Sequence, residues 1–354
     1  MSENKLFEDG FMLLKDLIAI PSFSREEDRT ADLIAFFLTE RGVEFNRKGN
    51  NLWAFSKFFD ENKPTILLNS HHDTVKPNKG YTKDPFNPEV IDGKLYGLGS
   101  NDAGGCLVSL IAVFLHFYER QDLKYNFVLA TTAEEETSGA GGLESIIPEL
   151  GELDFAIVGE PTQMHLAVAE KGLMVLDCHT RGKAGHAARD EGENALYKAL
   201  KDIHWFKDYR FEKISPMLGP VKMSVTVINT GTQQHNVVPD LCSFVVDVRV
   251  TDAYTNEEVL EIIRQHVDSE VVPRSIRLKP SSIPMDHPIV KKGIAMGRNT
   301  YGSPTTSDQS LLNIPSLKCG PGDSARSHTA DEFIFVDEIK EGIKIYIELL
   351  EGIN

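Results

Sequence analysis

Residues 65–73 read TILLNSHHD, a short apolar run that passes directly into two histidines and an aspartate. Three other stretches repeat the arrangement. NFVLATT at 126–132 runs into Ala133 and then Glu134-Glu135-Glu136, and FAIVG at 155–159 runs into Glu160-Pro161. SLKC at 316–319 is followed by the glycine-rich turn GPGD and, further on, by His328-Thr329-Ala330-Asp331. Short runs that are apolar throughout, without alternation, suit central strands covered on both faces. Helical patterns at 104–119 and 143–150 lie between them. This order predicts an α/β domain with a largely parallel central sheet flanked by helices. In open sheets of this kind ligands bind beyond the carboxyl ends of the strands. Here those ends repeatedly deliver histidine and carboxylate, the ligand types that hold zinc and similar divalent ions.

Two amphipathic helices are expected at 5–19 and 26–40, the second with Ser24 as its N-cap and Gly42 beyond its end. The stretch 97–105, GLGSNDAGG, does not follow a clear strand as a dinucleotide fingerprint should. Its glycines instead permit a tight turn that presents Asp102, and a carboxylate with two oxygens can bridge two cations. From 173 to 278 the texture changes: LMVLDCHT, VKMSVTVI and CSFVVDVRV alternate, and helical stretches occupy 194–207 and 256–268. The resulting β-α-β-β-α-β order predicts an α+β, ferredoxin-like domain. The parallel-sheet pattern resumes near Pro288 and closes with a helix at 336–349. The expected organisation is a discontinuous metal-binding catalytic domain, 1–172 and 280–354, interrupted by an inserted second domain, 173–279.

Composition narrows the classes. With 354 residues, 41% hydrophobic and 25% charged, the chain can bury a sizeable core, and its length suggests about two domains. A formal net charge of −16 disfavours nucleic acid and anionic membrane surfaces as partners. The first twenty residues mix acids among the apolar ones and lack a basic start, unlike a signal peptide. The apolar run 107–117 is too short to span a bilayer and reads as a buried helix. Cys106, Cys178, Cys242 and Cys319 are scattered with no CxxC pair, which predicts buried thiols and a cytoplasmic protein.

The segments SHHDTV, GLGSNDAGG, TAEEETSGAGG, VGEPT, KAGHAAR, NVVPD, TTSDQ and RSHTADEF occur in an order and at gaps that span almost the whole chain. In this the sequence is similar to the dinuclear metallopeptidase family that includes acetylornithine deacetylase, succinyl-diaminopimelate desuccinylase, carboxypeptidase G and aminoacylase. The resemblance implies two divalent ions per chain, zinc first, with cobalt or manganese accepting the same ligands. It assigns His71, Asp102, Glu136, Glu160 and His328 as metal ligands: Asp102 bridges, Glu160 joins His71 on one ion, and Glu136 joins His328 on the other. It also makes Glu135 the general base, has Asp73 orient the imidazole of His71, and places a cis peptide between Asp102 and Ala103. The residues alone do not decide which of Glu134, Glu135 and Glu136 is base, ligand or merely a solvated charge. Glu134 stands where the family usually has Asp, Leu98 where it has Arg, and Ala103 where it has a larger residue; no ligand type is lost by these departures.

Taken alone, His186 is a surface or packed histidine. The KAGHAAR match implies instead that it stabilises an oxyanion in the active site of a partner subunit, so a homodimer is expected, with 173–279 as its dimerisation or lid domain. Asn236, Arg249 and Thr306 resemble substrate-contacting residues, with Arg249 able to hold a substrate carboxylate bidentately or to form a salt bridge on the strand surface. His72 points opposite to its neighbours if the strand continues, and His116, His165, His179, His204, His235, His266 and His287 show no ligand spacing. The expected substrate is a small N-acyl amino acid, N-acetyl- or N-succinyl-L-ornithine in arginine biosynthesis. N-acyl-lysine, N-succinyl-diaminopimelate, dipeptides and general N-acyl amino acids are the alternatives. Glu170-Lys171-Gly172-Leu173 replaces an arginine-rich stretch associated with the desuccinylases. A metal-binding regulator without catalysis is the reading of another class, and the presence of Glu135 together with all five ligands speaks against it.

Overall fold

The computed structural model of the chain describes residues 2–232 and 234–354. It divides into two compact units. One is the chain up to Val168 with Ser282–Tyr301 and Ser307–Asn354; the other is Ala169–Ser281 with Gly302–Thr306.

In the first unit the four apolar runs are parallel neighbours, in the order Asn126–Thr132, Thr65–His71, Phe155–Val158, Ser316–Lys318. The antiparallel strands Asn51–Phe55 and Asn46–Lys48 extend the Asn126–Thr132 side. Register sets Thr65 opposite Asn126 and His71 opposite Thr132, so the two longest strands end level. Successive side chains point to opposite faces of a sheet, and both faces here are covered. Leu67, Val128, Ala130, Ala156 and Val158 pack with Leu143, Ile146 and Leu150 on one face. On the other, Phe117 of the helix Gly105–Phe117 stacks on Phe127 at 4.7 Å. Burial on both faces is why these strands are apolar without alternation, each fully buried Leu, Ile or Phe contributing about 1.5–3 kcal/mol.

One expectation needs correction. The pattern at 143–150 yields only the short helix Leu143–Ile146 followed by the 3-10 turn Ile147–Glu149, because Pro148 has no N–H to continue the ladder. The apolar run at 107–117 lies, as expected, in a buried helix, Gly105–Phe117, and the turn Ser100–Gly104 before it is broken by the non-helical Asp102 and Ala103. Ser100–Phe117 is long and apolar enough to cross a bilayer, yet 83% of it is buried inside the protein, as befits a core helix.

The second unit carries an antiparallel sheet in the order Lys222–Asn229, Leu241–Val250, Gly172–Arg181, Glu270–Pro273. With the helices Ala195–Asp208 and Asn256–His266 the chain order is strand, helix, strand, strand, helix, strand, the ferredoxin-like arrangement. Met174, Leu176, Cys178, Phe244, Val246 and Val248 meet Ala199, Phe206, Val259 and Ile263 in its core. All four cysteines of the chain are buried and unpaired by disulfides.

Candidate metal centre

His71 closes the Thr65–His71 strand with its side chain only 1% exposed. Its Nδ1 lies 3.0 Å from the carbonyl oxygen of Asp73. A carbonyl only accepts, so Nδ1 carries a hydrogen and Nε2 is the nitrogen turned to the cluster. That Nε2 is buried and has no hydrogen-bond partner. Around it stand Asp102 Oδ1 at 3.5 Å, Glu160 Oε1 at 3.8 Å and Glu135 Oε2 at 4.0 Å. Ligands bonded tetrahedrally at about 2.0–2.1 Å lie roughly 3.3–3.4 Å from one another, so these gaps resemble atoms arranged around a cation more than hydrogen-bonded pairs. Two groups have the spacing to hold an ion: His71, Asp102 and Glu136, and His71, Glu135 and Glu160. On the far side of Asp102, His328 Nε2 lies 3.5 Å from Oδ2 and 3.0 Å from Glu136 Oε2. Asp102 thus offers one oxygen to each histidine.

The loops that present these groups are tightly specified. The peptide between Asp102 and Ala103 is cis. Gly99 just before has φ of +76°, and a Cβ there would lie 2.5 Å from Thr74 Cγ2, so only glycine is accommodated. After the Asn126–Thr132 strand, Glu134 takes a left-handed φ of 58° and turns away from the cluster. Its amide donates to Glu27 Oε1 at 3.2 Å and its carboxylate lies 3.7 Å from Arg25 Nε. Any Cβ on Gly139 or Gly141 would strike that carboxylate. The next two amides bind Asp73: Glu135 N–H donates to Oδ1 at 3.1 Å and Glu136 N–H to Oδ2 at 3.2 Å. Ser24, expected to cap the second helix, instead donates its hydroxyl to Asp73 Oδ2 at 2.6 Å, and the helix begins at Asp28 without a side-chain cap. Asp73 therefore touches His71 mainly through its carbonyl, its carboxylate being 3.4 Å from Nδ1, and uses that carboxylate to set the Glu135–Glu136 backbone.

Three buried acids were not singled out from sequence. Glu27 accepts the amides of Arg25 and Glu134. Asp308 accepts the Thr132 hydroxyl at 2.7 Å, and Thr132 in turn accepts from Asn69 Nδ2 at 3.0 Å, so one carboxyl braces two strand ends. Glu332 accepts the amides of Asn101 and Asp102. The RSHTADEF and TTSDQ segments contain two of the three, and that was the available signal.

The cluster holds more negative charge than its surroundings can carry. Burial, with Asp102 adding to it, pushes Glu160 up to about 8. Burial also raises Glu135 well above the carboxylate range; His71 opposes this, while Glu160, Asp308 and Glu136 reinforce it. Burial raises Asp308 to about 6 and, with Asp102 nearby, Glu332 to about 8. The hydrogen bond to Glu136 lifts His328 to about 9. Burial alone would lower His71, but Asp102, Asp73 and Glu135 outweigh it and hold it well above its ordinary value. A buried imidazole nitrogen without a partner and a surplus of crowded carboxylates together fit divalent cations, which take deprotonated ligands of these types.

The other residues singled out belong to the second unit. His186 is exposed on the short strand Gly185–His186, paired with Val237–Val238, and Ala187 N–H donates to the Asn236 carbonyl at 2.9 Å. Arg249 forks onto Asp247 at 2.8 and 3.0 Å and reaches Thr306 Oγ1 at 3.2 Å. Its guanidinium is thus engaged with an acid of its own strand. His72 is buried between Thr30 Oγ1 and the Asn50 carbonyl, each at 2.9 Å, and packs as a structural histidine.

Comparison with known proteins agrees with this geometry. A succinyl-diaminopimelate desuccinylase of Wolbachia pipientis subsp. Culex pipiens is 27% identical, over 97% of this chain and 93% of the relative. An acetylornithine deacetylase of Buchnera aphidicola subsp. Schizaphis graminum is also 27% identical, over 96% and 97%. In fold, a tripeptidase from Staphylococcus aureus superposes with a TM-score of 0.79 at 20% identity, covering 100% of this chain and 99% of its own. An M20 family metallo-carboxypeptidase from Sulfolobus solfataricus superposes at 0.77 and 18% identity, over 97% and 99%. Residues 67–352 match the family described as peptidase family M20/M25/M40. The chain belongs to that family, and it is a metal-dependent hydrolase of amide or peptide bonds.

Proposed function

We propose that the chain hydrolyses the amide of an N-acyl amino acid in the cytoplasm, with N-acetyl- or N-succinyl-L-ornithine as substrate. His71 and Glu160 would hold one divalent ion, Glu136 and His328 a second, and Asp102 both, zinc being the ion that best suits this donor set. The observation that carries the reading is the buried, partnerless Nε2 of His71 facing three carboxylates. Bound there, the ions would supply Lewis acidity and lower the pKa of a water molecule. Glu135 would take the proton of the attacking water and hand it to the leaving amine. Asp73 would keep Glu135 in place through the amide it accepts.

The substrate reading draws support from relatives named as acetylornithine deacetylases in Buchnera aphidicola and Proteus mirabilis. The desuccinylase relatives favour N-succinyl-diaminopimelate as a second reading. Asn236, Arg249 and Thr306 are the residues proposed to contact substrate, Arg249 by exchanging Asp247 for a substrate carboxylate. A homodimer is part of the proposal, with His186 supplied in trans to stabilise the oxyanion. The edge strand Lys222–Asn229 pairs on one side only among the described residues and exposes Val227 at 54% and Ile228 at 49%, as a strand awaiting a second copy would.

The test is turnover of metal-reconstituted protein on N-acetyl-ornithine, N-succinyl-ornithine, N-acyl-lysine and N-succinyl-diaminopimelate. The highest kcat/KM is expected for an ornithine derivative. Strong preference for a dipeptide outside this set would overturn the assignment. Light scattering that shows only a fully active monomer would remove His186 from the mechanism.

A further inference from the structure

The segment that carries His328 is fastened to its own unit on both flanks. Asn101 Oδ1 accepts from the Asp323 amide at 3.0 Å, and Asn101 Nδ2 donates to the Asp323 carbonyl at 3.1 Å. Asn78 Nδ2 donates to the His328 carbonyl at 3.1 Å. Asp331 takes the amides of Thr82 and Lys83 at 2.8 and 2.9 Å. Glu332, next in the chain, is 1% exposed and binds a different loop. Its Oε1 accepts the amides of both Asn101 and Asp102 at 2.9 Å, while its carbonyl accepts from Gly97 N–H at 3.0 Å. A side-chain oxygen that takes consecutive amides sets the direction of those peptide planes, as a capping residue does at a helix start. Here the second plane leads into Asp102, whose two carboxylate oxygens face His71 and His328.

We infer that Glu332 is a positioning residue of the metal centre, joining the His328 segment to the Asp102 turn in the register that lets both histidines share one carboxylate. The inference rests on Asp102 being the bridging ligand. Glu332 acts through Asp102: it aims the bridge, and so governs how well a second ion is held once a first is bound. Outer groups that orient metal ligands typically alter metal affinity or activity by about 10–100-fold when removed.

Three variants of the full chain separate acceptor position from charge. Glu332→Gln keeps a carbonyl oxygen at the same reach, Glu332→Asp withdraws it by about one carbon–carbon bond, and Glu332→Ala removes it. Each is reconstituted with cobalt(II) and read by ions bound per chain, by the visible ligand-field spectrum, and by kcat and KM separately. Glu332→Asp and Glu332→Ala are expected to weaken the second ion about 10–100-fold, change the cobalt spectrum, and lower kcat more than they raise KM. Glu332→Gln is expected to restore all three readouts. If Glu332→Ala does not fold, the Asp and Gln variants carry the comparison. Parental spectrum and affinity in Glu332→Asp overturn the inference, and so does damage in Glu332→Gln equal to that in Glu332→Asp. Asp102→Asn is the control on the bridge. If it retains two ions at parental affinity, the bridging assignment itself fails. If it loses metal while Glu332→Asp does not, only the positioning role fails.

Discussion

His71 and His328 face opposite oxygens of one carboxylate, yet they are held in opposite ways. His71 ends a strand with parallel neighbours on both sides, its side chain is 1% exposed, and its Nδ1 is tied to a backbone carbonyl. His328 sits on a loop with φ of 60°, its side chain is 55% exposed, and Asn78 holds its carbonyl at the surface. A ligand on a buried strand is preorganised, whereas one on an exposed loop can adjust. The comparison predicts two unequal ion sites, a tight one at His71 and a looser one at His328.

Removing each histidine is the harshest way to break that comparison. His71→Ala should abolish measurable turnover, a loss of at least about 10²–10³ in kcat, and reduce binding of both ions. His328→Ala should lose one ion by elemental analysis while its melting temperature changes little. Equal metal loss in the two variants would erase the distinction. The strand behind His71 can be weakened without touching a ligand. Leu67 is fully buried on that strand, so Leu67→Ala should lower unfolding stability by about 2–5 kcal/mol in denaturant titration.

A gentler probe is pH. Glu160 and Glu332 are raised to about 8, Asp308 to about 6 and His328 to about 9. For a group whose pKa is raised by folding, the stability contribution is complete below its unfolded value and lost as pH rises through the folded one. The unfolded values lie at about 4 for the acids and about 6.5 for histidine, so metal-free protein should melt progressively lower between about pH 4 and pH 9. Asp73 and Asp102 are lowered, and their contribution fails only at acid pH, outside this window. Divalent ions replace protons at such sites, so the gain in melting temperature on adding zinc should grow over the same interval. A gain that shrinks as pH rises would contradict the electrostatic account. The smallest effect is expected from Asn78→Ala, which removes two exposed hydrogen bonds, to the His328 carbonyl and from the Gly80 amide, each worth about 0.5–1.5 kcal/mol. It should loosen the His328 ion without altering the His71 one, as competition with a chelator would show.

The strands and the candidate ligands were legible because their signals are local. An apolar run such as TILLN declares a strand buried on both faces, and the polar residues that end it have to face the crevice. The choice among Glu134, Glu135 and Glu136 was not local. It is made by Glu27 and Asp73, which accept the three successive amides and so turn Glu134 away while Glu135 and Glu136 face the cluster. Ser24 misled for the same reason: its position suits a helix cap, but a carboxylate distant in sequence claims its hydroxyl. Glu27, Asp308 and Glu332 look in sequence like ordinary solvated acids, and only the fold brings their oxygens to the amides and hydroxyls that hold the centre together. Pro148 was visible from the start, and its missing N–H should have shortened the helix expected at 143–150.

The division of labour between Glu135 and the ion-holding residues can be tested in a single preparation of Glu135→Gln, with metal content and kcat measured side by side on the preferred N-acyl substrate. The expected result is about two ions per chain, as in the parent, with kcat lowered by about 10²–10⁴. Unchanged kcat, or loss of turnover only in proportion to lost metal, would contradict the assignment of Glu135 as the base.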